Sequence, residues 1–362
     1  MQTVNPDNYQ QQLDEKLTEL RTTFRDISLP EKIEVYPSEP LHFRMRAEFR
    51  IWHENGRANF AMNEPGQKTP YIITEFPIGS VPINPLITSL ITEINASSIL
   101  SRRLFSVEFL TTLSGDALIT LLYHRKLDGE WQSAAEALQQ RIGVAVIGRS
   151  RKQKLTLERD FVLEKLQVDN KNYQYQQVEG GFTQPNAVIN QQMLAWSLDK
   201  TKSCGGDLLE LYCGNGNFTC VLAQNFNRVL ATEISKISVK SATTNLHSNE
   251  IDNVTIVRMS SEDFCQALEG VRPFRRLQDI DLHSYSFSTL FLDPPRAGLD
   301  SQTLQLAMEF DNILYISCNP LTLRENLKVI GNSHRIEHFA VFDQFPYTHH
   351  LECGVLLKKT SL

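Results

Sequence analysis

Three short apolar runs, each ending abruptly on polar or reactive residues, constrain the fold of this chain more than any other feature. Ile313-Leu314-Tyr315-Ile316-Ser317-Cys318-Asn319-Pro320 reads as a buried strand that ends on a cysteine. Four of its first five residues are large and apolar, the pattern of a strand covered on both faces. Pro320 has no N–H to donate and cannot continue a central strand, so Cys318 is expected at the strand's carboxyl end. Thr289-Leu290-Phe291-Leu292-Asp293-Pro294-Pro295-Arg296 is a second such run, and Asp207-Leu208-Leu209-Glu210-Leu211-Tyr212-Cys213-Gly214-Asn215-Gly216-Asn217 is a third. Open α/β sheets keep their ligand crevice beyond the carboxyl ends of the strands. A cysteine, an aspartate and a glycine turn at one rim therefore predict a site there, above a doubly wound, mostly parallel sheet.

The chain has 362 residues, long enough for two domains, and its 41% hydrophobic and 22% charged residues are ordinary for a soluble globular protein. No run of roughly eighteen apolar residues occurs, so no membrane span is expected. The polar start, Met1-Gln2-Thr3-Val4-Asn5-Pro6-Asp7, lacks the pattern of a signal peptide, and a cytoplasmic protein is expected. The six cysteines (Cys204, Cys213, Cys220, Cys265, Cys318 and Cys353) all lie in the second half and form no C-x-x-C pair. That spacing suits neither a metal site, a disulfide framework nor an iron–sulfur cluster. Net charge is −6, and the first 180 residues hold 21 basic against 23 acidic side chains. A nucleic-acid surface must therefore come from local clustering.

Such clustering is present. Residues 43–52 alternate strictly, with Phe43, Met45, Ala47, Phe49 and Ile51 on one face and Arg44, Arg46, Glu48, Arg50 and Trp52 on the other. An arginine row with an aromatic suits phosphate and base contacts, although a solvated sheet face has the same pattern. Arg102-Arg103-Leu104-Phe105 opens another strand, which turns at Ser114-Gly115-Asp116 and returns into His124-Arg125-Lys126. A helix is expected over 131–142, with Ser133-x-x-Glu136 as its capping box and Gly143 as its stop. The stretch 149–154 adds four positive charges and no acid. Together these predict a basic track on an α+β domain. Nearer the start, Asn5 and Pro6 are expected to open a helix with Tyr9, Leu13, Leu17, Leu20 and Phe24 on one face. The domain division is expected near Val178-Glu179-Gly180-Gly181.

In the second half, Gly214-x-Gly216 follows a strand, and Glu233 ends the next strand 19 residues beyond Gly214. Glycines at such a turn let backbone approach a ligand, and an acid at that offset suits two ribose hydroxyls. A dinucleotide would favour a third glycine where Thr219 stands. S-adenosylmethionine has no pyrophosphate and needs polar groups for its amino-acid end, which Tyr212, Asn217 and Glu233 can supply. Amino-directed methyltransferases carry an aromatic after the paired prolines; here it is Arg296. That points to carbon chemistry, which needs a nucleophile, and Cys318 can provide one. Cys213 is the rival thiol, though it lies inside the cofactor turn.

Asp293-Pro294-Pro295-Arg296, Ser317-Cys318-Asn319-Pro320 and Tyr347-Thr348-His349-His350-Leu351-Glu352-Cys353-Gly354 resemble the RNA uracil-C5 methyltransferase family over essentially the whole chain. Within it, the chain is most similar to the tRNA-modifying branch that makes T-loop ribothymidine. The rRNA-modifying relatives carry an N-terminal β-barrel and a four-cysteine iron–sulfur site, for which this sequence has neither room before Phe43 nor a cysteine before Cys204. The resemblance implies a Rossmann-like S-adenosylmethionine-dependent methyltransferase domain over 181–362 behind an N-terminal α+β RNA-binding domain over 1–180. The N-terminal helix could dock on either domain. The last strands, near 338–342 and 354–358, would form an antiparallel hairpin edge.

It also implies Cys318 as nucleophile, Glu352 as general base, and Gln184, Tyr212, Asn217, Glu233 and Asp293 as the cofactor's holders, with no metal or iron–sulfur cluster. The expected partners are the tRNA T-loop and T-stem, with tmRNA as a further substrate; the protein would act as a monomer. The chemistry itself is general. Uracil C5 is a poor nucleophile until a thiolate adds at C6, and a base must then remove the C5 proton so that the thiolate can leave. The target base must leave its stack, and Arg44, Arg46, Arg50, Phe105 and His124 are the candidates to meet the RNA. The rival readings are a nicotinamide-dependent oxidoreductase, an rRNA uracil or RNA cytosine C5 methyltransferase, and a non-catalytic tRNA-folding protein.

Overall fold

The computed structural model describes residues 4–63 and 70–360. The chain divides into two compact units, and it crosses between them more often than a single cut near 180 allows. One unit holds Glu39–Lys165 and Gln176–Ala187. The other holds Asp7–Ser38, Leu166–Tyr175 and Val188–Leu362.

The first unit is built on a seven-stranded sheet in the order Tyr71–Ile72, Arg57–Met62, Arg46–Glu54, Leu104–Thr111, Ala117–Tyr123, Ala145–Ser150, Gln153–Thr156. Alternation in the sequence becomes alternation in burial: Phe43, Met45, Ala47, Phe49 and Ile51 are all buried. Phe49 sits edge-on to Phe60, Phe76 and Phe109, an aromatic cluster that fixes which face is core. Two sequence expectations are corrected here. The helix Gly129–Ile142 is capped by Asp128, whose carboxylate accepts from Trp131 N–H at 2.9 Å, so Ser133 lies inside it and caps nothing. Gly143 does end it, at φ 66°. The basic stretch 149–154 is only half free: Arg149 pairs with Glu179, and Lys154 with both Asp160 and Glu179.

The second unit is an eight-stranded sheet in the order Ile33–Tyr36, His334–Phe342, Glu352–Lys359, Asn312–Ser317, Phe287–Leu292, Asp207–Leu211, Val229–Glu233, Val254–Arg258. Glu352–Lys359 runs antiparallel to both its neighbours, while the other described pairs are parallel. A reversed strand starts where parallel ones finish, so its first residue, Glu352, stands at the rim where the others end. The expected hairpin edge is also corrected. Ile33–Tyr36 pairs in parallel outside His334–Phe342, with Ile33 opposite Phe339 and Tyr36 opposite Phe342. Stacking of Tyr36 on Phe342, with ring centroids 4.8 Å apart, helps hold that edge.

The helix Tyr9–Thr23 belongs to this unit. It starts after a 3-10 turn at Pro6–Asn8 rather than at Pro6. Its stripe is buried as the spacing predicts: Leu20 and Phe24 join the core of Leu209, Leu230, Leu290, Ile313 and Val355, and Phe24 meets Phe339 edge-on at 5.4 Å. Burying such side chains contributes about 1.5–3 kcal/mol each, which is why the helix stays with this sheet although the chain passes into the other unit from Glu39. Among the described residues, no helix is long and apolar enough to cross a membrane.

Candidate active site

The strand Asn312–Ser317 delivers Cys318 to the sheet's carboxyl rim. The next residues turn the chain at once. Asn319 caps the helix Pro320–Ile330, its Oδ1 accepting from Leu321 N–H at 3.1 Å, and Pro320 takes the first helical position, where no N–H is needed. The Asn319 Nδ2 donates to the Arg296 carbonyl at 3.0 Å, tying this turn to the one that carries Asp293. Across the antiparallel ladder, Ile316 faces Gly354 and Ser317 faces Cys353. Continuing that register by one residue sets Cys318 opposite Glu352. Asp293 directly follows the strand Phe287–Leu292, beside Asn312–Ser317.

Electrostatics shows that the three groups sense one another. The Cys318 thiol is pushed up to about 11 by burial and by the Glu352 and Asp293 charges, with partial relief from the Arg296 guanidinium. Burial, then Asp293, pushes Glu352 up to about 8, and burial raises Asp293 to about 7. Glu352 is 5% exposed, and no ion pair to it occurs among the described residues. Arg296 meets His350, its Nη2 lying 2.9 Å from Nδ1 of that ring.

The glycine turn is built from left-handed residues at alternate positions: Tyr212 at φ 65°, Gly214 at 56° and Gly216 at 79°. Such alternation turns the chain sharply, and the Gly216 N–H is taken by the Cys213 carbonyl at 2.9 Å. A Cβ at Gly216 would lie 3.3 Å from the Ala242 Cβ, so glycine there serves both backbone angle and close packing. A Cβ at Gly214 would meet open space. Glu233 is fixed by accepting from Gly214 N–H at 3.0 Å and Ser235 N–H at 2.6 Å. Asn217 and Asn190 exchange amide hydrogen bonds at 2.8 and 2.9 Å, and the Asn217 carbonyl accepts from the Tyr175 hydroxyl at 2.9 Å. The Tyr212 hydroxyl is 2.7 Å from Ser261 Oγ. The turn, Glu233, Asp293, Cys318 and Glu352 thus share one rim of one sheet. Gln184 lies in the first unit, half-buried in the segment before the helix Ala187–Thr201.

This donor set fits S-adenosylmethionine. Asp293, Glu352 and the fully buried Glu210, itself pushed up to about 8, place carboxyls along the rim strands with Arg296 as the cation acting on Glu352. The Oε2 atom of Glu210 has no hydrogen-bond partner. A sulfonium supplies the positive charge such a crevice lacks, whereas a pyrophosphate would add to the repulsion. Glu210 and Asn190 escaped the sequence reading. A lone acid inside Leu208-Leu209-Glu210-Leu211 was a usable signal; Asn190 had none, because its partner is 27 residues away.

In the first unit a cavity of about 710 Å³ is lined by Arg50, His53, Arg102, Arg103, Phe105 and His124, among others. Phe105 and His124 stack, with centroids 4.2 Å apart and planes 20° from parallel. The Arg50 guanidinium lies 5.9 Å from both the Trp52 and Phe105 rings. Arg44 and Arg46 do not line this cavity. Arg44 Nε donates to the Arg46 carbonyl, while Arg46 pairs with Glu108 and donates to the Gly181 carbonyl. Their guanidinium groups are spent inside the unit, a use that strand alternation cannot distinguish from an RNA-facing one.

Comparison with known proteins shows the family and the fold. The family model described as tRNA (Uracil-5-)-methyltransferase matches residues 8–360. The tRNA/tmRNA (uracil-C(5))-methyltransferase of Cellvibrio japonicus is 58% identical over 351 residues, covering 97% of this chain and 96% of that protein. The protein of the same description from an Azoarcus species is 54% identical, covering 99% and 98%. Among solved structures, the Pyrococcus abyssi tRNA (uracil-54, C5)-methyltransferase in complex with S-adenosyl-L-homocysteine superposes with a TM-score of 0.70 at 19% identity, over 97% of this chain and 83% of that one. The fold is therefore that of an S-adenosylmethionine-dependent methyltransferase.

Proposed function

The chain belongs to the tRNA (uracil-5-)-methyltransferase family, and from that premise we propose that it methylates C5 of a T-loop uridine in tRNA, forming ribothymidine, with T-loop-like RNAs such as tmRNA as further substrates. The observation that supports the mechanism is the antiparallel ladder that ends at Ser317 and Cys353, one residue short of Cys318 and Glu352, at a rim shared with Asp293.

S-adenosylmethionine, when bound, supplies an electrophilic methyl group. Tyr212, Asn217, Glu233 and Asp293 would hold it. Cys318 adds to uracil C6 and pushes electron density onto C5, the carbon that is methylated. Glu352 then takes the surplus C5 proton, the C5–C6 double bond re-forms, and the bond from sulfur to C6 breaks. A carboxyl held near 8 is a stronger base than an ordinary one, which suits it to a carbon acid. Its raised proton affinity also implies that turnover climbs with pH through neutrality.

Extruding the uridine costs a few kcal/mol. The Phe105–His124 stack with Arg50 above it supports a role in receiving RNA, since stacked rings and a guanidinium can take the place of neighbouring bases. A cytoplasmic monomer is the working form in this reading.

The test is a T-loop hairpin carrying 5-fluorouridine, incubated with S-adenosylmethionine and run on a denaturing gel. Fluorine at C5 cannot leave as a proton, so a covalent protein–RNA band is expected, and Cys318→Ala should abolish it. Absence of the band despite tight cofactor binding would overturn the assignment of Cys318 or of uracil.

A further inference from the structure

The loop 343–351 joins the strands His334–Phe342 and Glu352–Lys359 and so determines where Glu352 stands. It is a demanding connection. Asp343, Gln344, Tyr347 and Leu351 are buried, and Tyr347 adopts φ 62°, a left-handed conformation unfavourable for an aromatic residue. Something outside the loop must hold it, and the helix Tyr9–Thr23 does. Lys16 Nζ donates to Asp343 Oδ1 at 2.7 Å, to the Phe345 carbonyl at 2.9 Å and to the His350 carbonyl at 3.1 Å. All three donors of the ammonium are thus used. Two turns earlier in the helix, the Tyr9 hydroxyl donates to Asp343 Oδ2 at 2.9 Å and accepts from Ser38 N–H at 2.7 Å.

We propose that Lys16 is a positioning residue for the elimination step, holding both ends of the loop that presents Glu352. The proposal rests on the reading of Glu352 as the general base. Lys16 is 7% exposed and Asp343 is as deeply buried, so the pair is costly to desolvate and gives little stability by itself. Burial accordingly lowers the Lys16 pKa, against the pull of Asp343. The carbonyl bonds show the wider use. A simple ion pair needs Asp343 alone, yet Lys16 also grips residue 350, two positions before Glu352. His350 in turn meets Arg296, whose carbonyl is held by Asn319 next to Cys318. Lys16 therefore anchors a chain of contacts running from the N-terminal helix to His350 and Asn319, within two residues of Glu352 and Cys318. Removing it frees the last residues of the loop, and small displacements of a catalytic group cost rate steeply.

The test uses the full-length protein, a T-loop hairpin with ordinary uridine, and S-adenosylmethionine. Lys16→Met is compared with Lys16→Met/Asp343→Asn, which leaves no unpaired charge, and with Glu352→Gln. Melting temperature, kcat, KM for RNA and the amount of covalent complex on a denaturing gel are read for each. Lys16→Met should melt lower, lose about tenfold or more in kcat with KM little changed, and accumulate the covalent complex, because adduct formation survives while proton removal slows. The double variant should recover melting temperature but neither kcat nor the normal adduct level. Recovery of kcat together with melting temperature, or a slow Lys16→Met enzyme without accumulated adduct, would overturn the proposal. Glu352→Gln separates the premise from the inference: if it fails to accumulate adduct, the assignment of the base is wrong irrespective of Lys16.

Discussion

Asp293 and Glu352 hold their protons well above the range of free carboxyls, and each makes ionisation harder for Cys318. The sign of the linkage follows. An acid whose pKa is raised by folding binds its proton more tightly in the native state, so its contribution to stability is present at low pH and lost as pH rises through the native value. For Glu352 that loss runs from about 4.5 to about 8. Glu352→Gln is therefore expected to gain melting temperature relative to the parent as pH goes from about 5 to about 9, read by thermal scans across that range. A parallel pair of curves would show that the carboxyl is not buried in solution. The same repulsion sets the state of the nucleophile. With a cofactor analogue carrying an ammonium in place of the sulfonium, alkylation of Cys318 at fixed pH should run several-fold faster than with S-adenosyl-L-homocysteine, whose sulfur is neutral, since a nearby cation lowers a thiol pKa. Equal rates would mean that charge in the crevice does not reach the thiol. Cys318 and Asp293 were legible in sequence because proline stops the strand within two residues of each. Lys16 was not, because a helix stripe reads as apolar periodicity and its partner Asp343 lies 327 residues away.

The antiparallel element Glu352–Lys359 turns a sheet into a site, since a parallel strand there would begin at the opposite rim. Hydrophobic pattern revealed that strand and its hairpin partner but not Ile33–Tyr36, whose four residues are too few for periodicity to mark. Cap chemistry divided the same way. Gly143 was readable as a helix stop, whereas the Ser133-x-x-Glu136 motif matched a capping box that the backbone does not use, the cap being Asp128. Asp128→Ala should cost about 1 kcal/mol in urea unfolding. At the glycine turn, Gly216→Ala combines a left-handed backbone with a crowded Cβ and should cost about 1–3 kcal/mol. Gly214→Ala carries the backbone penalty alone and should cost about 1–2 kcal/mol. Calorimetry should show weakened cofactor binding for both; a Gly216→Ala protein with parent-like affinity would remove the turn from the cofactor site.

Taken whole, the chain is acidic, at net −6, and several of its arginines and lysines are already paired internally. RNA affinity should therefore rest more on stacking than on phosphate contacts, with a modest dependence on salt. Phe105→Ala is expected to weaken hairpin binding by about 1–3 kcal/mol while leaving turnover at saturating RNA nearly unchanged. A salt slope reporting about ten released ions would contradict this balance. The outer edge of the second sheet has a different consequence, one for biosynthesis. Ile33 pairs with Phe339, and Phe24 packs on that same residue. A ribosome adding about 5–20 residues per second needs roughly 15–60 s to cover the intervening stretch of about 300 residues. Throughout that interval the nascent N-terminal helix lacks the Phe339 part of its cover, and the earlier strands that carry Leu209, Leu230 and Leu290 are the first to reach its apolar stripe. The sheet closes only when the last strands emerge, and those strands also bring Glu352, so a half-made chain has no way to expose an assembled reactive centre.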